Sequence, residues 1–451
     1  MRASDDLCQA TRSRNMLDDT VATAHSPQYL FGHRYMGPIL AECCFLLHRH
    51  LELNAAAAGH AVLFCARGGL LIRRALELFT TRIGEPMHYA TADLMVSRLA
   101  AARLAMSADS PSLHTLLAME FEDRTCADAA AALSGVGAPR GGEWAALYEP
   151  DRFANLLSHT AEGRRVRAAM AEQAELMRAH FRAASDGAPN VHLVDTGVFG
   201  SIAHFMRAGL PDVSLECVLL FRAHYKRSAL AFDQPAAIGL VSDCDHYSPW
   251  KPRSASRLYW PFFEAFFEPP LPSVRRYSVE ADGTVVSTLE IQGWRELAGP
   301  PPGSFAHGAF DYVASLTDLA LPSIHQNATK AWRSVRRRIV YPGSDDVALM
   351  AVRDRGLDFG CDDVVQFGDL PSGVGWRAAM AAVRASVWPE GELRRQFPGA
   401  AFIWHRLLEI GRTAKAFARS IAEGAEGSRR RFTATRRPVR IRRVRNGQVD
   451  M

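Results

Sequence analysis

The sequence feature that most constrains this chain is a unit that occurs twice: a short apolar run, a glycine-rich turn, then a helix start. The clearer copy is Asn190 to Ser201, which reads Asn-Val-His-Leu-Val-Asp-Thr-Gly-Val-Phe-Gly-Ser. Val191, Leu193 and Val194 form a buried-strand run that stops at Asp195. Thr196-Gly197 and Gly200-Ser201 follow, and Ile202 to Ala208 reads as a helix. The second copy is Ala61 to Cys65, then Ala66-Arg67-Gly68-Gly69, then a helix from Leu70 to Arg82. Two such units imply an α/β fold with a parallel sheet. In sheets of this kind ligands sit beyond the carboxyl ends of the strands, where the two loops would converge. A strand, a glycine turn and a helix N-terminus gather backbone N–H groups around one point, which suits a phosphate. Arg67 followed by two glycines suits an anionic group, through the guanidinium charge and close backbone approach. The plainer alternative for each copy is a tight turn before a packed helix, with Arg67 paired locally. Neither loop is a Walker A loop, because no Gly-Lys-Ser/Thr follows, and neither carries the dinucleotide fingerprint.

The rest of the chain bounds the class. It has 451 residues, 48% of them hydrophobic and 22% charged, enough for one large domain or two ordinary ones with a real core. Its eight cysteines form no Cys-x-x-Cys pair and no cluster at zinc spacing, which points to a reducing, cytoplasmic setting. Cys43 and Cys44 fall on an apolar helical stretch and read as core. Residues 1–26 are polar and mixed in charge and read as a disordered leader without a signal core. No apolar run is long enough to span a bilayer, and no internal repeat is visible.

In order, Gly37-Pro38 opens a long apolar helix, Ile39 to Ala58. Met87 to Ala90 reads as a short strand and Leu94 to Ala108 as a helix carrying Ser97, Arg98 and Arg103. Residues 109–187 read as a helical insertion, interrupted by a Gly/Pro stretch at Ser134 to Gly142. Leu215 to Phe221 is a further buried strand that ends at Arg222 and His224, a histidine read as structural. Ser248 to Pro272 is rich in aromatics and proline, and Glu264 and Glu268 lie four apart within it on one helical face. Carboxylates among aromatics can have raised pKa values and act as bases, although a solvated pair on an amphipathic helix has the same pattern. Tyr277 to Ile291 reads as a hairpin turning at Asp282-Gly283, and helices follow from Phe305. The expected layout is an α/β domain over 27–330, a mainly helical region over 331–427 and a basic tail over 428–451. That tail holds Arg429, Arg430, Arg431, Arg436, Arg437, Arg440, Arg442, Arg443 and Arg445, and accounts for much of the net charge of +5. Such a tail attracts anionic lipid or nucleic acid without sequence specificity.

Two resemblances rest on these residues. Arg67-Gly68-Gly69 after a strand is similar to the pyrophosphate loop of type I phosphoribosyltransferases, and Asp195 to Ser201 resembles a shortened form of their ribose-phosphate loop. Val194-Asp195 stands where those enzymes have two acidic residues, and the helical insertion widens the gap between the loops. A second resemblance covers roughly residues 29–313. It is to the region joined to haloacid-dehalogenase-type phosphatases in bacterial polysaccharide clusters. Its marks are Gly37-Pro38-Ile39-Leu40, Ala66 to Gly69, Ser97-Arg98 (with Thr91-Ala92-Asp93 competing for that place), Val194 to Ser201, Glu264 to Pro270, and Gly308 to Val313.

The resemblance implies a type I phosphoribosyltransferase-like α/β fold and transfer of 5-phosphoribosyl from phosphoribosyl pyrophosphate to a glycan acceptor, possibly lipid-linked. No Asp-x-Asp phosphatase entry precedes Tyr29, so a separate phosphatase would remove the 5-phosphate. It implies Arg67, Gly68 and Gly69 at the pyrophosphate, with Mg²⁺. It places Thr196, Gly197, Gly200 and Ser201 at the 5-phosphate, Asp195 at ribose hydroxyls or the metal, and Ser97 and Arg98 at the substrate. Glu264 is the expected base, with Glu268 second. Peripheral placement at the inner membrane face would go through the basic tail, with no specific nucleic acid bound. A non-catalytic phosphate- or nucleotide-binding module and a nucleobase phosphoribosyltransferase remain the alternatives. The single loop carboxylate favours the first, and aromatics able to stack a base favour the second.

Overall fold

The structure is a computed structural model and describes residues 26–106, 117–118, 120–139, 141–222, 237–243, 246–290, 293–352, 355–356, 359, 364–365 and 375–434. Its centre is a five-stranded sheet: β1 (His60–Cys65), β2 (Thr91–Leu94), β3 (Asn190–Asp195), β4 (Ser214–Arg222) and β5 (Ala237–Asp243). The spatial order is β2-β1-β3-β4-β5 and every pairing is parallel. From β1 the chain goes out to β2 on one side, then returns to place β3 on the other. The gap between β1 and β3 is therefore the topological switch point of the sheet.

Alternation along the strands builds two cores. Leu63, Cys65, Val191, Leu193, Cys217 and Leu219 face one way, under the helices Arg98–Met106, Ala161–Ser185 and Ser201–Gly209. Val62, Phe64, Val194, Val218 and Leu220 face the other, under Gly37–Asn54, Gly68–Ile83, Trp260–Phe267 and Leu321–Val340. Side chains of this kind contribute about 1.5–3 kcal/mol each when fully buried. The result is three layers, helices on both faces of a parallel sheet. Cys43 and Cys44 are both buried in the helix Gly37–Asn54, where burial pushes their thiols up and leaves them unreactive.

Several boundaries differ from expectation. The strand expected at Met87 to Ala90 lies at Thr91–Leu94, and the next helix begins at Arg98 rather than Leu94 and is described to Met106. β5 was not expected. Gly37-Pro38 does not open a helix but continues one, because a turn at Pro27–Phe31 and a π-turn at Gly32–Met36 lead into it, and that helix ends at Asn54. A division at 330/331 falls inside the helix Leu321–Val340. Trp332 of that helix stacks on Phe263 (5.4 Å between centroids), so this part of the C-terminal region shares the core of the α/β domain. Trp388 does the same against Tyr259 at 4.4 Å. The described part of the insertion is helical over Cys126–Ser134, Pro150–His159 and Ala161–Ser185, and the hairpin is present as Tyr277–Val279 against Val285–Ser287. The leader to residue 25, His224 and the tail from 435 lie outside the described residues. No helix among the described residues is long and apolar enough to cross a membrane.

The outermost marks of the wider resemblance meet in space. Gly32 and Gly308 sit where a Cβ would collide with the backbone of Phe305 and of Tyr29, and at Gly37 it would collide with the Tyr312 side chain. The Tyr29 hydroxyl donates to Asp311 Oδ2 at 2.9 Å. These segments cross so closely that only glycine fits, which is a packing role away from the strand ends.

Candidate functional site

At the carboxyl ends of β1 and β3 an open cleft of ≈ 320 Å³ is lined mainly by residues from four places in the chain, with Glu120 and the 273–274 segment at its edge. Arg67 and Gly68 come from the loop after β1, and Asp195 to Ile202 from the loop after β3. Ser97 and Arg98 follow β2, and Trp260, Glu264 and Glu268 come from the aromatic helix and its end. The structure thus brings together every expected site residue except Gly69, which lies beneath the loop.

The glycines after β1 are set by contact between the loops. A Cβ on Gly68 would lie 2.6 Å from Thr196 Oγ1, and one on Gly69 would lie 2.9 Å from the Phe64 carbonyl carbon and 3.0 Å from the Val194 oxygen. Both distances are too short for a real Cβ, so the helix Gly68–Ile83 can start this close to β3 only without side chains. The Ala66–Arg67 peptide is cis. In the second loop Gly200 is needed for its backbone: its φ is 65°, in the left-handed region, and it leads directly into the helix Ser201–Gly209. No side chain caps that helix, so its first amides remain open to an anionic ligand at the cleft.

Arg67 is already held at the cleft wall. Its Nη2 lies 3.6 Å from Glu268 Oε1, and its Nη1 donates to the Leu271 carbonyl at 3.3 Å. Glu268 sits just past the end of the helix Trp260–Phe267, while Glu264 is nearly buried within it. The expected second base is therefore first of all a partner of Arg67.

Asp195 lies at the base of the cleft. Burial first, and then the neighbouring Glu264 charge, raise its carboxyl to about 7 against the amides of Gly197 and Thr196, which hold it down. The Thr196 N–H donates to Asp195 Oδ1 at 2.7 Å. Thr196 and Gly197 thus direct their amides at this carboxylate. Of the four residues expected at the 5-phosphate, Gly200 and Ser201 are the ones that offer an uncapped helix start.

Ser97 and Arg98 border the cleft, whereas Asp93, from the competing segment, sits within β2 and pairs with Arg73 at 3.0 Å. The Ser97 hydroxyl donates to the Val274 carbonyl at 2.7 Å and accepts from the Ala100 amide at 3.2 Å. It caps a helix and ties down the 273–274 segment, which is a structural role. Arg98 pairs with Glu120 of the insertion at 2.8 Å. Glu120, Trp260 and Ser273 were missed as lining residues: the sequence around Glu120 carries no motif, and only the fold brings the insertion back to the strand ends.

No protein-family model matches the chain, and no curated protein matches it. The chemistry of the cleft must be read from its own residues. For anions it offers Arg67 and an open helix N-terminus, while Arg98 is paired with Glu120 at its border. Around them stand the carboxylates Glu120, Asp195, Glu264 and Glu268, of which Asp195 is raised to about 7.

Proposed function

We propose that this chain transfers 5-phosphoribosyl from phosphoribosyl pyrophosphate to a hydroxyl of a glycan acceptor, on a type I phosphoribosyltransferase-like core. The observation that carries this reading is the meeting of the two loops at the switch point, with the Gly68 backbone against Thr196 and the carboxylates Asp195, Glu264 and Glu268 lining the same cleft. A donor with two separate anionic groups fits a site with two anion-binding elements in contact, and a neutral acceptor alcohol fits beside carboxylates and Trp260.

In this reading the bond between ribose C1 and the pyrophosphate oxygen breaks, and the pyrophosphate leaves with the electron pair. The acceptor oxygen forms the new bond to C1 and its proton passes to Glu264. Charge grows on the departing oxygen as the bond breaks, so donors aimed there lower the barrier most. Arg67 takes that role, exchanging part of its contact with Glu268 and Leu271 for phosphate oxygens. Gly200 and Ser201 hold the 5-phosphate at the open helix start. Asp195 faces the ribose hydroxyls.

The donor set also fits Mg²⁺. Oxygen ligands suit this hard cation, and a divalent charge offsets the burial and the Glu264 repulsion that lift the Asp195 carboxyl. Asp195 would hold it, and bound there it would neutralise charge on the pyrophosphate.

A cytoplasmic chain working at the inner membrane face suits a lipid-linked acceptor. The helix Ala401–Ala434 leaves Ile403, Leu407, Ile410, Phe417 and Ile421 exposed along one side, and of the nine arginines of the tail three fall in its last turns and six follow it in the sequence. An apolar stripe flanked by cations is what an anionic membrane surface attracts. The test of the reading is pyrophosphate release from the donor, measured with and without glycan acceptors. Release that depends on an acceptor supports it. A protein that binds donor and releases no pyrophosphate with any acceptor would be a binding module.

A further inference from the structure

A second cluster of chemistry-bearing side chains lies near the opposite end of the same strands. His192 is the third residue of β3 and Glu216 the third of β4, and the two are register partners. His50, from the helix Gly37–Asn54, packs over them. One ligand atom from each of His50, His192 and Glu216 lies within 4.8 Å of the other two. His50 Nε2 is 3.6 Å from Glu216 Oε1, and His192 Nδ1 is 2.8 Å from Glu216 Oε2.

These nitrogens are poorly provided for by the protein alone. His50 Nε2 and His192 Nδ1 are both buried without a well-formed hydrogen bond; His50 Nε2 is too far from Glu216 for one, and His192 Nδ1 meets Glu216 only as an ion-pair contact. Two buried, unpartnered imidazole nitrogens beside a carboxylate are costly unless something binds there. The far nitrogen of His192 is served: its Nε2 lies 3.2 Å from His60 Nδ1, and the two rings stack at 5.5 Å. With Nδ1 ligating a cation, Nε2 carries the proton and donates it to His60. That is the arrangement by which a metal-bound histidine is oriented from behind.

We propose that His50, His192 and Glu216 form a site for a borderline transition-metal cation, Zn²⁺ in particular, with His60 as the positioning residue behind His192. Two imidazoles and one carboxylate suit zinc rather than magnesium or calcium. Zinc–ligand bonds of about 2.0–2.2 Å place tetrahedral ligand atoms about 3.4 Å apart, close to the separations already present. Glu216 and His50 keep some solvent access, which leaves an entry path and room for a water as fourth ligand. The site is separate from the cleft: His192 and Asp195 are three residues apart on one strand, about 10 Å. Its effect is to tie the helix Gly37–Asn54 to β3 and β4, and binding to the folded chain alone stabilises the fold.

The test uses the full chain, stripped with chelator and titrated with Zn²⁺ alone by calorimetry, with Co²⁺ as a spectroscopic stand-in. One equivalent should bind, the melting temperature should rise, and Co²⁺ should give the strong visible absorption of a tetrahedral site. Glu216→Gln and His50→Gln should each weaken Zn²⁺ binding by more than about 100-fold and abolish the cobalt spectrum. His60→Ala should weaken it by about 10–100-fold while the spectrum remains. Zinc binding that survives folded Glu216→Gln and His50→Gln unchanged would overturn the proposal, as would no uptake by the stripped wild type. Should Glu216→Gln fail to fold, the cobalt spectrum of the wild type and of His50→Gln decides alone.

Discussion

The two strand–loop–helix units look alike in sequence, yet their glycines serve opposite ends. After β1 the glycines are there because something is too near: Gly68 and Gly69 lie against Thr196, Phe64 and Val194. After β3 the glycine is there because the backbone must turn: Gly200 has φ 65°, and its nearest neighbours stand off at 3.6 and 3.7 Å. The first loop is a packed wall that fixes Arg67, with Glu268 and Leu271 as its other supports. The second is an open rim that leaves a helix start facing the cleft. A glycine pair in a sequence therefore does not say by itself where a ligand enters; it is the looser of the two loops that has the room.

The largest expected effect of breaking this pairing is on turnover. Arg67→Ala removes the cation from the packed wall, so kcat should fall by about 10²-fold or more with a smaller rise in the KM for donor. Arg67→Lys, which keeps the charge but loses the planar fork, should fall between. Steady-state kinetics with the phosphoribosyl donor check both, and an unchanged kcat in Arg67→Ala would remove this loop from the chemistry.

The loops should also differ in stability. Gly68→Ala forces a methyl against Thr196 and should cost about 1–3 kcal/mol. Gly200→Ala has space and meets only the left-handed backbone, so it should cost about 1 kcal/mol. Urea unfolding of the two variants compares them directly, and a greater loss at Gly200 would reverse the assignment of wall and rim.

A smaller effect concerns Asp195. Its carboxyl is raised to about 7 in the folded chain, so the fold holds its proton more tightly than the unfolded chain does. The stability linked to this group is present below the unfolded value near 3.8 and is lost as pH rises through about 7. Asp195→Asn should therefore be more stable than the wild type at pH 8, by about 1–2 kcal/mol once partial solvent screening is allowed for, and nearly equal at pH 4. Melting curves at the two pH values check this, and a gain of equal size at both would mean that the charge is not the cause. The smallest effect is at the periphery. Deleting residues 428–451 should weaken binding to anionic vesicles in sedimentation assays, by about 1 kcal/mol for each cation engaged, and leave turnover of a soluble acceptor intact.

The central part of this architecture was legible because its strands are buried on both faces. Val62, Leu63 and Phe64 are a continuous apolar run, and Val191, Leu193 and Val194 are one broken only by His192, as a parallel sheet covered on both sides demands. The edges were not legible for the same reason. β2 reads Thr-Ala-Asp-Leu and is largely half-buried, so it has no apolar run to find. β5 carries Gly239 in its interior, pressed against Arg222 where the β4–β5 register shifts, and glycine inside a strand hides it from pattern reading. The cleft was legible where residues sit directly after strands, as with Arg67 and Asp195. Glu120 reaches it from the insertion through folding alone, and the His50–His192–Glu216 cluster is assembled from three separate elements with no spacing to reveal it.

The central claim, that the cleft between the two loops holds a phosphoribosyl pyrophosphate donor, is tested most directly by calorimetric titration of that donor with Mg²⁺ into the wild type and into Gly200→Asp. The carboxylate would stand at the open helix start and repel the 5-phosphate. The account expects saturable binding at one site in the wild type and none in the folded variant. Equal donor affinity in a folded Gly200→Asp, or no binding to the wild type at all, would contradict it.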